Sequence, residues 1–259
     1  MSRNFEVLQK AGWRQGQVER KGHFDRPEHF QRQEQSPHIE VETKRYAAQA
    51  EVVRDEAAKL VERIFLRPGL RAPRMVAFSG VNEGAGSSWV CARASKILAA
   101  QVNERVCAVD ANIQTPTLHS HLGEGNFAGW TDALRESRSL AATASQVKGS
   151  NLWLLPAGKP GPVSRDLTAT NRLGTSVAEL RSEFGYVLVD SAPVTGDSYA
   201  PEFGQEADGM ILVMDSSGTS PQVALKAKQD VEARGIPLLG IVLNQSSDPF
   251  PNFLRRLLK

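Results

Sequence analysis

Between Met75 and Leu243, short uninterrupted apolar runs alternate with longer amphipathic segments, and this alternation constrains the fold more than any other feature. The runs Met75–Ser79, Val106–Asp110, Leu152–Leu155, Tyr186–Asp190, Met210–Met214 and Leu238–Leu243 read as strands. Ser88–Gln101, Trp130–Arg138, Ala169–Glu183, Pro221–Arg234 and Ser198–Glu206 read as the intervening helices. Strands that are apolar at every position are buried on both faces, which a parallel sheet covered by helices provides. The expected fold class is α/β, a doubly wound, mostly parallel sheet with helices on both faces. In such sheets ligands bind beyond the carboxyl ends of the strands, so the loops after each strand carry the functional interest.

The first third of the chain has a different character. Met1–Ala11 has a short helical pattern with Ser2 placed as its N-cap, and Gly12–Lys44 is polar, with alternating charge and little apolar surface to offset the entropy of ordering. Residues 1–45 therefore read as a short helix and a flexible linker, and residues 46–259 as the α/β domain. That domain opens with a helix over 46–65, ended by Pro68, Gly69 and Pro73, and the sheet region spans 74–259. Lys plus Arg numbers 31 against 29 for Asp plus Glu, a net charge of +2 that argues against a dedicated nucleic-acid binder. Cys91 and Cys107 lie in apolar runs without CxxC spacing, so neither a disulfide framework nor a structural zinc site is expected. No apolar run approaches the roughly 18 residues of a membrane span, and no signal-peptide pattern opens the chain, so a cytoplasmic protein is expected.

The first strand leads into Gly80-Val81-Asn82-Glu83-Gly84-Ala85-Gly86-Ser87-Ser88, followed by a helix. Glycines at a strand-to-helix turn allow tight backbone conformations, and a helix N-terminus offers free N–H groups to an anion. A nucleotide loop also needs a lysine on the β/γ-phosphates and a hydroxyl on magnesium. Ser87 stands in the lysine position, Ser88 keeps the hydroxyl, and Glu83 adds a negative charge. On spacing alone, an anion cradle and a tight connection without ligand both remain open.

The ordered set of motifs resembles the bacterial tyrosine kinases of the capsular and extracellular polysaccharide machinery. These are the CpsD/CapB-like proteins and the cytoplasmic domains of Wzc-like co-polymerases, within the P-loop class that includes the Min and Par ATPases. The resemblance runs from about Arg74 to Gln245 and extends to the opening residues Met1–Ala11. Ser79 through Trp89 occupies the register of the family loop, and Asp110-Ala111-Asn112-Ile113-Gln114-Thr115-Pro116-Thr117-Leu118-His119 that of a second acidic motif, D-x-D-x-R-x-P-x-x-H. Val187-Leu188-Val189-Asp190-Ser191-Ala192-Pro193 fills the third motif, and Ala207–Met214 and Gly240–Asn244 match later strands. The resemblance implies a P-loop NTPase fold and Mg-ATP as cofactor. It assigns nucleotide contacts to Gly84, Ala85, Gly86, Ser87, Ser88 and Asn244, and metal contacts to Ser88, Asp110 and Asp190. It also implies a membrane polysaccharide co-polymerase or export protein as partner, and homo-oligomers.

The departures bear on activity. Ser87 replaces the phosphate-gripping lysine, and Asn112 replaces the aspartate assigned to metal binding and deprotonation of the attacking tyrosine; a neutral amide is no general base near pH 7. Gln114 replaces an arginine, and Glu62 stands where the oligomer-building E-x-x-R-x-x-R helix, matched at Glu56 and Lys59, has a basic residue. Pro251–Lys259 contains no tyrosine, so autophosphorylation of a tail cluster is not expected. Phe253–Lys259 reads as a short amphipathic docking segment, His119 and His121 as structural, and Trp89, Trp130 and Trp153 as packing residues. The favoured reading is a degenerate family member acting as regulator or scaffold in polysaccharide synthesis and export, with weak or no ATP hydrolysis. An active ATP-dependent tyrosine kinase and a Par/Min-like positioning ATPase are the alternatives.

Overall fold

The computed structural model describes residues 55–66, 72–159, 171–195, 205–216 and 218–245. The expectations for Met1–Ala11, the linker to Lys44, most of Ser198–Glu206 and the Phe253–Lys259 segment lie outside them. Helix α1 covers 55–65. Then follow β1 (Met75–Gly80), α2 (Ser87–Gln101), β2 (Val106–Asp110), α3 (Leu118–Leu122), α4 (Trp130–Arg135), α5 (Leu140–Thr143), β3 (Ser145–Gln146) and β4 (Leu152–Leu155). The order ends with α6 (Asn171–Glu183), β5 (Tyr186–Ser191), β6 (Gly209–Asp215), α7 (Pro221–Ala233) and β7 (Leu238–Asn244).

The seven strands form one sheet in the order β3-β4-β2-β5-β1-β6-β7. Every pairing is parallel except that of the two-residue edge strand β3, which runs antiparallel to β4. All six residues of β1 are buried, as are all five of β2, so the uninterrupted apolar runs do mark strands covered on both faces. Alternate side chains feed two separate cores. Met75, Ala77, Cys107, Val109, Val187, Val189, Met210 and Leu212 pack under α4 to α7, against Trp130, Leu134, Leu140, Leu180 and Val231. Val76, Phe78, Val106, Ala108, Leu188, Ile211 and Val213 pack on the other face, against Val61 and Phe65 of α1, Cys91, Ala94 and Leu98 of α2, and Leu118 and Leu122 of α3. This period-two division is what makes the sheet doubly wound.

Local chemistry sets the element ends. Helix α7 begins with Ser220 as N-cap, its hydroxyl accepting from the Val223 N–H, and Pro221 in the first turn, where a missing N–H costs nothing. Helix α4 stops at Arg135, earlier than the expected Arg138, because Glu136 leaves helical geometry and Ser137 turns to φ 53°. Three short elements have no counterpart in the expectations: α3, α5 and β3. His119 and His121 lie on α3, a helix rather than a strand, so their two-residue spacing sets them on different faces. At the amino-terminal edge the Arg105 guanidinium is stacked on both Trp153 and Phe184, 4.3 and 4.7 Å from the ring centroids. Among the described residues no helix is long and apolar enough to cross a membrane.

Phe78 on the central strand is completely buried, whereas Phe127 is 84% exposed. Phe78→Ala is expected to cost about 3–5 kcal/mol, and Phe127→Ala to stay within about 0.5 kcal/mol. Urea denaturation midpoints at constant m-value check the contrast.

Candidate nucleotide loop and its acidic edge

The loop joining β1 to α2 lies at the carboxyl edge of the sheet, on the central strand. Gly84 and Gly86 take φ 77° and 86°, and a Cβ built on Gly86 would fall 2.2 Å from the Asn244 Nδ2, so this position has room only for glycine. Helix α2 starts at Ser87 with no side-chain cap and no acidic residue in its first turn. Its N-terminal N–H groups are therefore not capped by a carboxylate or hydroxyl.

Neighbouring strand ends hold the loop in place. The Val81 N–H donates to the Val213 carbonyl at 2.8 Å, and the Val194 N–H donates to the Gly80 carbonyl at 2.9 Å. The Thr195 hydroxyl donates to the Val81 carbonyl at 2.7 Å, and the Thr219 hydroxyl to Asn82 Oδ1 at 3.0 Å. Asn244 Nδ2 donates to the Ala85 carbonyl at 3.0 Å, and Gln245 Nε2 reaches the Gly84 carbonyl at 3.5 Å. The loops after β5, β6 and β7 thus all grip the same turn. Asn244, expected as a nucleotide contact, is placed on the loop backbone itself. Thr195, Thr219 and Gln245 were absent from the sequence expectations. Their only signal was a polar side chain soon after a strand, which many loops share.

Asp110 and Asp190 stand directly opposite one another in the β2–β5 register, both with 0% exposure. Asp110 Oδ2 accepts the Leu118 N–H at 3.1 Å, while Asp110 Oδ1 and both oxygens of Asp190 have no hydrogen-bond partner. The His119 ring places its Nδ1 3.9 Å from Asp110 Oδ2. Burial pushes Asp110 up to about 7, partly offset by backbone N–H groups led by that of Leu118. Burial, reinforced by the Asp110 charge, raises Asp190 well above the carboxylate range. The Ser87 and Ser88 hydroxyls approach Asp190 closely enough to offset part of that shift without meeting hydrogen-bond geometry.

Asn112 is occupied in a turn of its own. Its Nδ2 donates to Thr115 Oγ1 at 3.1 Å, and its Oδ1 accepts from the Thr115 N–H at 3.3 Å. The Trp130 indole donates to the Asp110 carbonyl at 2.7 Å, fixing the end of β2. Gln114 is exposed, and Glu83 is exposed at the tip of the loop. The structure therefore brings Ser87, Ser88, Asp110 and Asp190 to one edge, with Asn112 turned to its own segment. Among the described residues no Lys or Arg forms an ion pair with either buried aspartate, and no group of three or more His, Cys, Asp or Glu is placed to hold a metal. On α1, Lys59 pairs within its own helix with Glu56 at 2.7 Å.

The burial of Asp190 has a pH signature. Its folded pKa lies above the unfolded value, so the folded state holds more protons and stability falls as pH rises from the ordinary carboxylate range upward. Asp190→Asn removes that charge without removing a hydrogen bond to Asp190. In magnesium-free buffer the variant is expected to melt several degrees above the parent at pH 8, with the gain shrinking toward pH 4. Thermal melts across that range check it.

No family model matches the chain. Among curated proteins it is similar to the tyrosine-protein kinase Wzc of Salmonella typhimurium, 25% identical over 166 residues, covering 64% of this chain and 23% of that kinase. The chain thus spans about a quarter of that relative's length. The tyrosine-protein kinase YwqD of Bacillus subtilis is 26% identical over 174 residues, covering 67% of this chain and 73% of YwqD. CpsD of Streptococcus agalactiae is 24% identical over 176 residues, covering 68% of this chain and 75% of CpsD. Among solved structures, the chimerical protein CapA2B2 superposes with TM-score 0.69 at 22% identity, covering 75% of this chain and 85% of that one. The Mg-ADP complex of the septum site-determining protein MinD from Pyrococcus horikoshii gives 0.60 at 19%, covering 71% and 76%. The curated relatives are bacterial tyrosine kinases, and the fold is the P-loop NTPase fold shared with Min and ParA ATPases.

Proposed function

We propose that this chain is a degenerate tyrosine-kinase-like P-loop protein. It acts as a regulator or scaffold in capsular or exopolysaccharide synthesis and export, with weak or no ATP hydrolysis. The observation that carries the reading is the acidic edge: Asp110 and Asp190 are fully buried, face one another, and lack a cationic side chain where the family pattern has lysine at position 87. The pathway rests on the resemblance to the CpsD, CapB and Wzc kinases, and the partner we assign is a membrane co-polymerase or export protein.

Mg-ATP has a partial fit. The orphaned oxygens of Asp190 and Asp110, with the Ser88 hydroxyl, suit a hydrated magnesium ion. The Gly84–Ser88 turn, two glycines in the left-handed region leading into an uncapped helix, suits a phosphate. Bound there, Mg-ATP supplies a transferable phosphoryl group. The backbone of Gly84, Ala85, Gly86, Ser87 and Ser88 would cradle the phosphates, and Asn244 holds that turn through the Ala85 carbonyl. The missing lysine removes a charge-assisted contact of roughly 1.5–3 kcal/mol, one to two orders of magnitude in affinity. With its amide committed to Thr115, Asn112 supplies no base for a tyrosine hydroxyl.

Calorimetric titration of magnesium-ATP into the parent and into Ser87→Lys tests the reading. No measurable binding by the parent is expected, with binding regained in Ser87→Lys because the added ammonium meets a preformed cradle. Micromolar binding by the parent would overturn the degenerate reading and move the active kinase ahead.

A further inference from the structure

Helix α2 presents a stripe to solvent that the nucleotide loop does not use. Trp89, Arg93 and Lys96 recur at i, i+4 and i+7 and so share one face. Trp89 is 37% exposed, an unusual exposure for so large an apolar side chain, and the Arg93 guanidinium lies 5.9 Å from its ring centroid. The Arg93 Nε is buried without a hydrogen-bond partner. Lys96 is exposed, and its Nζ donates to the His121 carbonyl at 3.0 Å, joining the stripe to α3.

The charged side chains of α2 and α3 themselves have one sign. Neither Ser87–Gln101 nor Leu118–Leu122 contains an aspartate or glutamate. Exposed Glu83 precedes α2, exposed Glu104 follows it, half-buried Glu124 follows α3 and Asp110 is buried, while Asp55 and Glu62 of α1 line a cavity with Gln101, at the opposite end of α2 from Trp89. An aromatic surface flanked by cations, with no carboxylate on either helix, is complementary to an acidic segment carrying an apolar side chain.

We propose that the outward face of α2 and α3 is a docking surface for an acidic segment of another protein. An apolar side chain of the segment seats on Trp89, and its carboxylates meet Arg93 and Lys96. Two permanent cations suit a short acidic peptide. Nucleic acid draws its affinity from many more phosphate contacts, roughly 6–10 in a typical binder. The surface stands on its own, whether or not the loop binds nucleotide.

The test uses the full chain labelled with ¹⁵N, at about 20 mM salt so that charge is weakly screened. The probe is the peptide Glu-Asp-Glu-Phe-Asp-Glu-Glu, with a lysine-for-acid peptide and a twelve-nucleotide oligothymidine as competitors for the assignment. The Trp89 indole cross-peak, identified through Trp89→Phe, is expected to shift saturably with half-saturation below about 1 mM. The cross-peak of buried Trp130 stays fixed and reports that the fold is intact. Arg93→Glu combined with Lys96→Glu is expected to weaken the response about tenfold, the loss of two exposed ion pairs. Absence of a Trp89 shift, an equal shift in the charge-reversed variant, or a stronger response to the lysine peptide or the oligothymidine would overturn the proposal.

Discussion

Two carboxylates facing one another across adjacent parallel strands, with no exposure to water, set the terms for the whole carboxyl edge of this sheet. A buried charge without a partner is expensive, and two of like sign at adjacent strand ends are worse. Ordinary P-loop chemistry relieves such a cost with a cation, either the loop lysine or the metal. Here serine stands in the lysine position, and dipoles supply part of the relief. The Leu118 N–H donates to Asp110, the Ser87 and Ser88 hydroxyls approach Asp190, and burial holds both acids toward their neutral forms.

The departures from the family pattern change the charge around the buried pair. A site that lost only its lysine would retain the second aspartate of the D-x-D motif beside the buried pair. In this chain that position is Asn112, a neutral side chain whose amide closes a turn with Thr115. With Ser87 for lysine, Gln114 for arginine and Asn112 for aspartate, two positive charges and one negative are absent relative to that pattern. Ser87 shortens the side chain yet keeps a hydroxyl at the helix start near Asp190.

Much of the sheet was legible because its strands are apolar at every position. A fully buried strand leaves a short, unbroken apolar run, and all six parallel strands were located from such runs to within a residue or so at each end. The elements that escaped have weak local signals. The α3 and α5 helices are five and four residues long, too short for a 3.6-residue period to register, and both residues of β3 are exposed. At the site, Asp110 and Asp190 were legible because a carboxylate ending an apolar strand is conspicuous. Their facing register depends on a strand order of β4-β2-β5-β1, which places β5 between β2 and β1 and which no single run encodes. The grip of Thr195, Thr219 and Asn244 on the loop was hidden for the same reason: each bond joins residues more than a hundred positions apart.

That grip also explains how a loop can outlast its chemistry. In a turn shaped by a bound phosphate, losing the lysine would weaken both ligand and turn. In this chain the carbonyls of Gly80, Val81 and Ala85 are engaged by Val194, Thr195 and Asn244, so the loop's conformation is set by the ends of β5, β6 and β7. Replacing the lysine leaves those bonds untouched, and with them the start of α2, which packs on one face of the sheet. A fold secured in this way tolerates loss of nucleotide affinity without loss of shape. Retention of shape without the lysine is what the proposed scaffold role requires.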